Sequence, residues 1–122
     1  MIGYTTLGTN DFAKAAKFYD ALLGEFGAKR AMETDKLILW STGPNQPMLS
    51  IIKPFDGKAA TVGNGVMVAL LAKDRKQVDQ VYKKAIQLGG KDEGAPGDRG
   101  GGFYAGYFRD LDGNKLNAFF MG

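Results

Sequence analysis

Two halves of this chain carry the same punctuation, and that duplication restricts its fold more than any other feature. A shift of 63 residues lays Leu7 on Leu70, Asp11 on Asp74, Tyr19 on Tyr82 and Gly27 on Gly90, and it lays Tyr4 on Met67. A shift of 67 lays Leu49 on Leu116 and Ser50 on Asn117. The matches fall on helix caps, apolar stripes and helix stops, the places where a repeated supersecondary unit has to repeat its sequence.

Each half opens with an apolar segment and then a capped helix. Asn10 or Asp11 offers a side-chain oxygen to the free amides of a helix start. Phe12, Ala15, Ala16, Tyr19, Leu22, Leu23 and Phe26 then recur at helical spacing, with Lys14, Lys17, Asp20 and Glu25 between them and Gly24 and Gly27 as stops. In the second half Asp74 is the cap. Val78, Val81, Tyr82, Ala85 and Leu88 form the stripe, and Gly89-Gly90 ends it.

Apolar runs bounded by turn residues predict strands at Ala28–Met32, Lys36–Trp40, Met48–Ile52, Gly65–Leu71, Phe103–Phe108 and Leu116–Phe120. Asp112-Gly113 is a hairpin signal between the last two. Phe55–Gly63 reads as loop, and glycine-rich Lys91–Gly102 reads mostly as loop. The order is strand, helix, three strands, twice. One domain of 122 residues is expected, with module one at about 1–60 and module two at about 63–122.

Composition removes whole classes of chemistry. The chain has no cysteine and no histidine. Disulfides, thiolate sites, Ser-His-Asp triads and imidazole-bound metals are therefore excluded, and any metal site would need oxygen ligands alone. A net charge of +3 is too small to signal nucleic acid unless it clusters. Lys73, Arg75, Lys76, Lys83 and Lys84 make the second helix basic, but Asp74 and Asp79 interrupt them. A solvated face is expected there, with no nucleic-acid partner. Apolar runs are too short to span a membrane, the N-terminus lacks a signal-peptide pattern, and a cytoplasmic location follows by default.

Four stretches resemble the vicinal oxygen chelate superfamily, the group of glyoxalase I, bleomycin-resistance proteins and extradiol dioxygenases. They are Asn10-Asp11 through Phe18-Tyr19-Asp20-Ala21-Leu22-Leu23-Gly24, Gly63-Asn64-Gly65 through Val68-Ala69-Leu70, Gly89-Gly90-Lys91 with Gly94-Ala95-Pro96-Gly97, and Arg109-Asp110-Leu111-Asp112-Gly113-Asn114-Lys115. Leu111 stands where the family's hairpin usually has proline. The resemblance implies an α+β fold of two tandem βαβββ modules whose curved mixed sheets form a cleft. It also implies a homodimer, for which Phe12, Phe18 and the aromatic strands would leave apolar surface.

Metal-using members place four ligands, usually His and Glu, on the first and last strand of each module. Carried over by motif, those positions are Tyr4, Ser50, Met67 and Asn117. The set has no formal negative charge, and Met67 offers a soft thioether ill-suited to Mg²⁺, Mn²⁺ or Fe²⁺. No metal and no cofactor is therefore expected. The four side chains either line a pocket for a small molecule or simply fill the sheet interior.

Trp40, Phe103, Tyr104, Tyr107 and Phe108 supply aromatic surface, either for a planar ligand or for packing. Alternation puts Ile38 and Trp40 on one strand face and Leu37 and Leu39 on the other. The expected ligand-binding set is Tyr4, Trp40, Ser50, Met67, Tyr104 and Asn117. Arg109 could meet an anionic ligand, though pairing with Asp110 or Asp112, or plain solvation, is the simpler reading. Gly97–Gly102 is no phosphate loop, and reads as a loop over the cleft mouth or a plain connector. Asp110, Asp112 and Asn114 read as a β-turn, since calcium-loop spacing is missing.

The leading functional expectation is a metal-free small-molecule binding protein that sequesters a planar or amphipathic compound. The alternative is a superfamily enzyme, a lyase, isomerase or dioxygenase, with Tyr4, Glu33 and Asp35 as candidate acid/base groups. A third is an interaction module with its cleft closed.

Overall fold

Each helix begins where an aspartate caps it. Asp11 accepts a hydrogen bond from the Lys14 amide at 3.1 Å, and Asp74 accepts one from the Gln77 amide at 2.8 Å. Donors and acceptors are thus related by the same 63-residue shift. The computed structural model describes residues 1–122. Its first unit, Met1–Val62, contains β1 (Tyr4–Gly8), α1 (Phe12–Gly24), β2 (Lys29–Glu33), β3 (Leu37–Ser41) and β4 (Met48–Ile52). Its second, Gly63–Gly122, contains β5 (Val68–Leu71), α2 (Arg75–Gln87), β6 (Lys91–Asp98), β7 (Phe103–Arg109) and β8 (Lys115–Met121).

Both units are βαβββ modules with the same strand order, β1-β4-β3-β2 and β5-β8-β7-β6. In each, the first strand lies parallel to the last and the remaining pairs are antiparallel. The duplication extends to register. Thr6 pairs with Ser50, and Ala69 pairs with Asn117, so the shifts of 63 and 67 meet at one hydrogen-bonded position.

Each sheet turns one face to its helix. In module one, Ala15, Phe18, Tyr19, Leu22 and Leu23 of α1 and Leu7, Ile38, Trp40, Leu49 and Ile51 of the sheet are all buried. Register places Leu7, Ile51 and Ile38 in one row and Leu49 and Trp40 in the next. At roughly 1.5–3 kcal/mol per buried large side chain, this layer dominates the module's stability. Phe18, expected to leave apolar surface for a partner, is instead 2% exposed and packs edge-on against Tyr19. In module two, Val78, Val81 and Ala85 of α2 and Phe108, Leu116 and Ala118 of the sheet are fully buried. Gly106 lets α2 approach, because a Cβ there would lie 3.3 Å from Tyr82 Cβ and 2.9 Å from Pro96 Cγ.

Two strands differ from the sequence reading by more than a residue at an end. Lys91–Asp98 is a strand, not loop. Its pairing with β7 slips between Asp92 and Gly94 and again between Gly94 and Gly97, which erases the two-residue alternation that marks a strand. Asp92 pins the first slip by accepting from the Tyr82 hydroxyl and the Gly94 amide, both at 2.8 Å. Pro96 is tolerated because β6 is a sheet edge. The glycine-rich stretch that follows is the tip of the β6–β7 hairpin, where the Arg99 guanidinium donates to the carbonyls of Ala95 and Ala105. The other strand, β5, starts at Val68, three residues later than expected, because Val66 closes a turn onto Gly63.

Gly90 tests the close seam between α2 and β7. A Cβ there would meet the carbonyl oxygens of Arg109 at 2.7 Å and Ala85 at 2.8 Å, both backbone atoms. Gly90→Ala is expected to destabilise by about 2 kcal/mol. Gly24→Ala, at the end of α1 with nothing within 4 Å, is expected to stabilise by roughly 0.5 kcal/mol. Urea midpoints of the two variants against the parent protein check both signs.

Candidate functional site

The side of each sheet turned away from its helix is where the repeat places its polar positions. In module one the row Thr6, Ser50, Leu39 and Met32 lies on that side, with Tyr4 two residues before Thr6. Tyr4 is largely exposed, whereas Ser50 is wholly buried and its Oγ has no hydrogen-bond partner. In module two the equivalent row is Ala69, Asn117 and Tyr107. Asn117 is buried, and its Oδ1 is likewise without a partner. Met67 stands just before β5 and is partly exposed.

The rest of the open face of module two is amphipathic along its length. One end carries Leu71, Phe119, Phe103 and Met121. Phe103 and Phe119 stack with centroids 5.6 Å apart, and Leu71 is 67% exposed. The other end carries Arg109 and Lys115 in register. Arg109 pairs with neither adjacent aspartate. Its Nε donates to Glu93 at 2.5 Å, and the hydrogen bond holds the Glu93 carboxyl below its ordinary range. Tyr107 lies between these ends, with the Arg99 guanidinium and the Lys115 ammonium 5.4 and 5.5 Å from its ring centre. Asp110 accepts from the amides of Asp112 and Asn114 and from the Asn114 side chain, which makes the expected β-turn.

Trp40 and Tyr104 lie on the other side of their sheets, toward the helices. The Trp40 indole is 2% exposed, packs on Tyr19 and donates to Asp20 at 2.9 Å. The Tyr104 hydroxyl donates to Asp79 at 2.6 Å, with the Arg75 guanidinium 4.9 Å from its ring centre. The Asp79 hydrogen bond leads the causes that raise the Tyr104 pKa. The two aromatic rings are thus engaged with α1 and α2. Sequence reasoning passed over Leu71, Phe119 and Met121 as site residues. Counting in twos from Ala69 and from Asn117 reaches all three.

The acid/base candidates are also separated. Tyr4 is on one edge strand of its sheet and Glu33 on the opposite edge, three strand spacings or about 14 Å across the sheet and three residues farther along it. Glu33 is engaged by Arg30, and Asp35 is exposed.

A family model for the Glyoxalase/Bleomycin resistance protein/Dioxygenase superfamily matches residues 1–118. The chain belongs to this superfamily. A glyoxalase/bleomycin resistance protein from Albidiferax ferrireducens is 33% identical, with a TM-score of 0.92 over 100% of this chain and 99% of that one. A hypothetical protein from S. aureus is 27% identical, with a TM-score of 0.76 over 98% and 92% of the two chains. A lactoylglutathione lyase from Agrobacterium tumefaciens, 21% identical with a TM-score of 0.72 over 98% and 92%, shares the fold. No curated protein matches the chain.

The superfamily's metal-using members raise the question of whether these residues suit a divalent ion. They do not. Ser50 and Asn117 present neutral oxygens, Met67 presents a thioether, and no three His, Cys, Asp or Glu side chains come together anywhere in the chain. Tyr4 brings a phenol where a carboxylate or imidazole would be needed.

The Asp20 cluster behind Trp40 gives a pH test of this superfamily member. The carboxylate accepts from Arg30 Nε at 2.9 Å and Nη2 at 2.8 Å, and from Trp40. The Arg30 hydrogen bond, with the indole's added, holds its pKa below the ordinary aspartate value. A depressed folded-state pKa contributes stability that is present above the unfolded value of about 3.9 and is lost as pH falls through the folded one. The stability gap between the parent and Asp20→Asn should therefore be open at neutral pH and narrow below about pH 4. Urea titrations followed by Trp40 emission read it directly, since this is the chain's single tryptophan.

Proposed function

We propose that this protein is a small-molecule binding member of the superfamily that works without a divalent metal and sequesters a planar or amphipathic compound. The observation that carries the reading is the chemistry of the four repeat-related positions: Tyr4, Ser50, Met67 and Asn117 bring no formal negative charge. A divalent ion leaving water needs anionic or imidazole ligands to offset its lost hydration. An uncharged organic ligand needs apolar area and a few polar anchors, which is what these residues offer.

The open face of module two supports the second half of the reading. Phe103, Phe119, Leu71 and Met121 present apolar surface for a flat body, and Arg109 and Lys115 stand at the charged end. The unpartnered Oγ of Ser50 and Oδ1 of Asn117 mark where each module still has hydrogen-bonding capacity. The protein is further proposed to act as a homodimer. Its sheet-edge strands β1 and β5 carry exposed Tyr4 and Leu71, surface that a second copy would cover. Light scattering should return twice the chain mass, and a monomer at micromolar concentration would remove that part.

A thermal-shift screen of planar compounds on untagged protein tests the binding reading. At least one class should raise the melting temperature. Phe119→Ala should weaken it by about tenfold or more through lost apolar contact. Asn117→Ala should weaken it by roughly fivefold without unfolding the free protein, since the lost oxygen has no partner to abandon. Elemental analysis of the same sample should find far less than one divalent ion per chain. One tightly held equivalent would favour the lyase or dioxygenase alternative instead, and a screen with no hit would end the sequestration reading.

A further inference from the structure

Module one contains a concavity at the ends of β1 and β4 beside the start of α1, on the Gly8 and Ile52 side of its sheet. It encloses about 470 Å³. Lys36, Lys53 and Lys58 line it together with Ile52, Pro54 and Phe55, and no aspartate or glutamate does. None of the three ammonium groups belongs to an ion pair, and Lys53 has only the Phe12 ring, 5.3 Å from its ammonium to the ring centre; the chain's five pairs are made by Lys14, Arg30, Arg75 and Arg109. The carboxylates nearest in sequence are directed elsewhere or exposed. Asp11 caps α1, Asp56 accepts from the Lys58 amide at 2.9 Å, and Asp35 is solvent-exposed.

Three like charges around one concavity repel one another, and an anion placed among them relieves that repulsion. The apolar half of the lining is only partly covered. Phe55 is fully exposed, at 103% of its reference area, beside the half-buried Ile52 and Pro54. A fully exposed phenyl ring forgoes roughly 1.5–3 kcal/mol of burial.

The loop that carries these groups is held in place. Asn10 clamps it from the start of α1, its Nδ2 donating to the Ala60 carbonyl at 3.1 Å and its Oδ1 accepting from the Ala60 amide at 2.6 Å. Gly57, at φ +74°, turns the chain back so that its amide reaches the Pro54 carbonyl at 3.0 Å. The loop also abuts β1, since a Cβ at Gly8 would lie 3.0 Å from Ala60 Cβ. A lysine-lined wall on a fastened loop is preorganised, which lowers the ordering cost of binding.

We propose that this pocket binds an aromatic oxyanion, an aryl phosphate or aryl carboxylate, with the lysines taking the oxyanion and Phe55, Pro54 and Ile52 taking the ring. The test is an amide-resolved NMR titration of the full chain at low salt with phenyl phosphate, benzoate and inorganic phosphate. Shifts should cluster at Asn10, Lys36, Lys53, Phe55 and Lys58. Phenyl phosphate should bind about tenfold more tightly than inorganic phosphate, because only it has a ring to bury. The ratio of phenyl phosphate to benzoate identifies the oxyanion.

A Lys53→Glu/Lys58→Glu variant should weaken both phosphates by about tenfold or more. Phe55→Ser should weaken phenyl phosphate by roughly fivefold and leave inorganic phosphate unchanged. Asn117→Ala should leave all three ligands unchanged, which separates this pocket from the site proposed above. Shifts centred elsewhere, or affinities indifferent to charge reversal, overturn the pocket. Equal affinity for phenyl phosphate and inorganic phosphate overturns its aromatic half.

Discussion

Both modules depend on one constraint, the parallel pairing of the first strand with the last. Parallel neighbours cannot be joined by a tight turn, so the chain must leave the sheet and return. Here it leaves as a helix whose start is set by an aspartate cap, and it returns through two antiparallel strands. Because β4 and β8 return beside β1 and β5, Ser50 comes to lie against Thr6 and Asn117 against Ala69. A helix starting one residue earlier or later would alter that return. A one-residue slip in pairing would also exchange the buried and open faces of a whole strand. The caps, which look like local detail, therefore help to decide which residues reach the open face.

The same arrangement divides the chemistry of each sheet between its two sides. The helix side is filled by large apolar groups, and its few polar atoms are matched: the indole of Trp40 with Asp20, the hydroxyl of Tyr104 with Asp79. The open side is mixed and incompletely matched. Charge is scarce around the repeat-related positions and concentrated at one end of module two, where Arg109 and Glu93 neutralise each other. That distribution supports the proposed reading, an organic molecule with a flat apolar body in place of a bare divalent cation, because only the former is compensated by contact area.

What could be read from the sequence was whatever obeys a short period. The caps Asp11 and Asp74, the helical stripes, and the strand Met48–Ile52 follow from spacing and capping chemistry alone. Strand β6 did not, because its two register slips destroy the alternation that betrays a strand. Alternation placed Ile38 and Trp40 together on one face, but could not say that this face meets α1. That depends on which side the crossover helix covers, a tertiary fact. Tyr104 was ambiguous for the same reason. The partner of Arg109 was also out of reach, since Glu93 lies 16 positions away and is brought near only by the β6–β7 pairing.

The two unpartnered oxygens bear most directly on why this superfamily member keeps polar atoms on its open faces. A buried polar atom without a hydrogen bond costs about 1–3 kcal/mol, a sizeable share of the 5–15 kcal/mol that holds a typical domain folded. One such atom could be incidental. Two, at positions related by the duplication and paired in the same register, share a structural origin. Alanine at Ser50 would remove the penalty without disturbing a contact, and an apolar residue of similar volume at Asn117 would do the same. Stability therefore gives no reason to retain either oxygen. The proposed binding function supplies a reason, since a ligand that comes and goes would give each oxygen a partner.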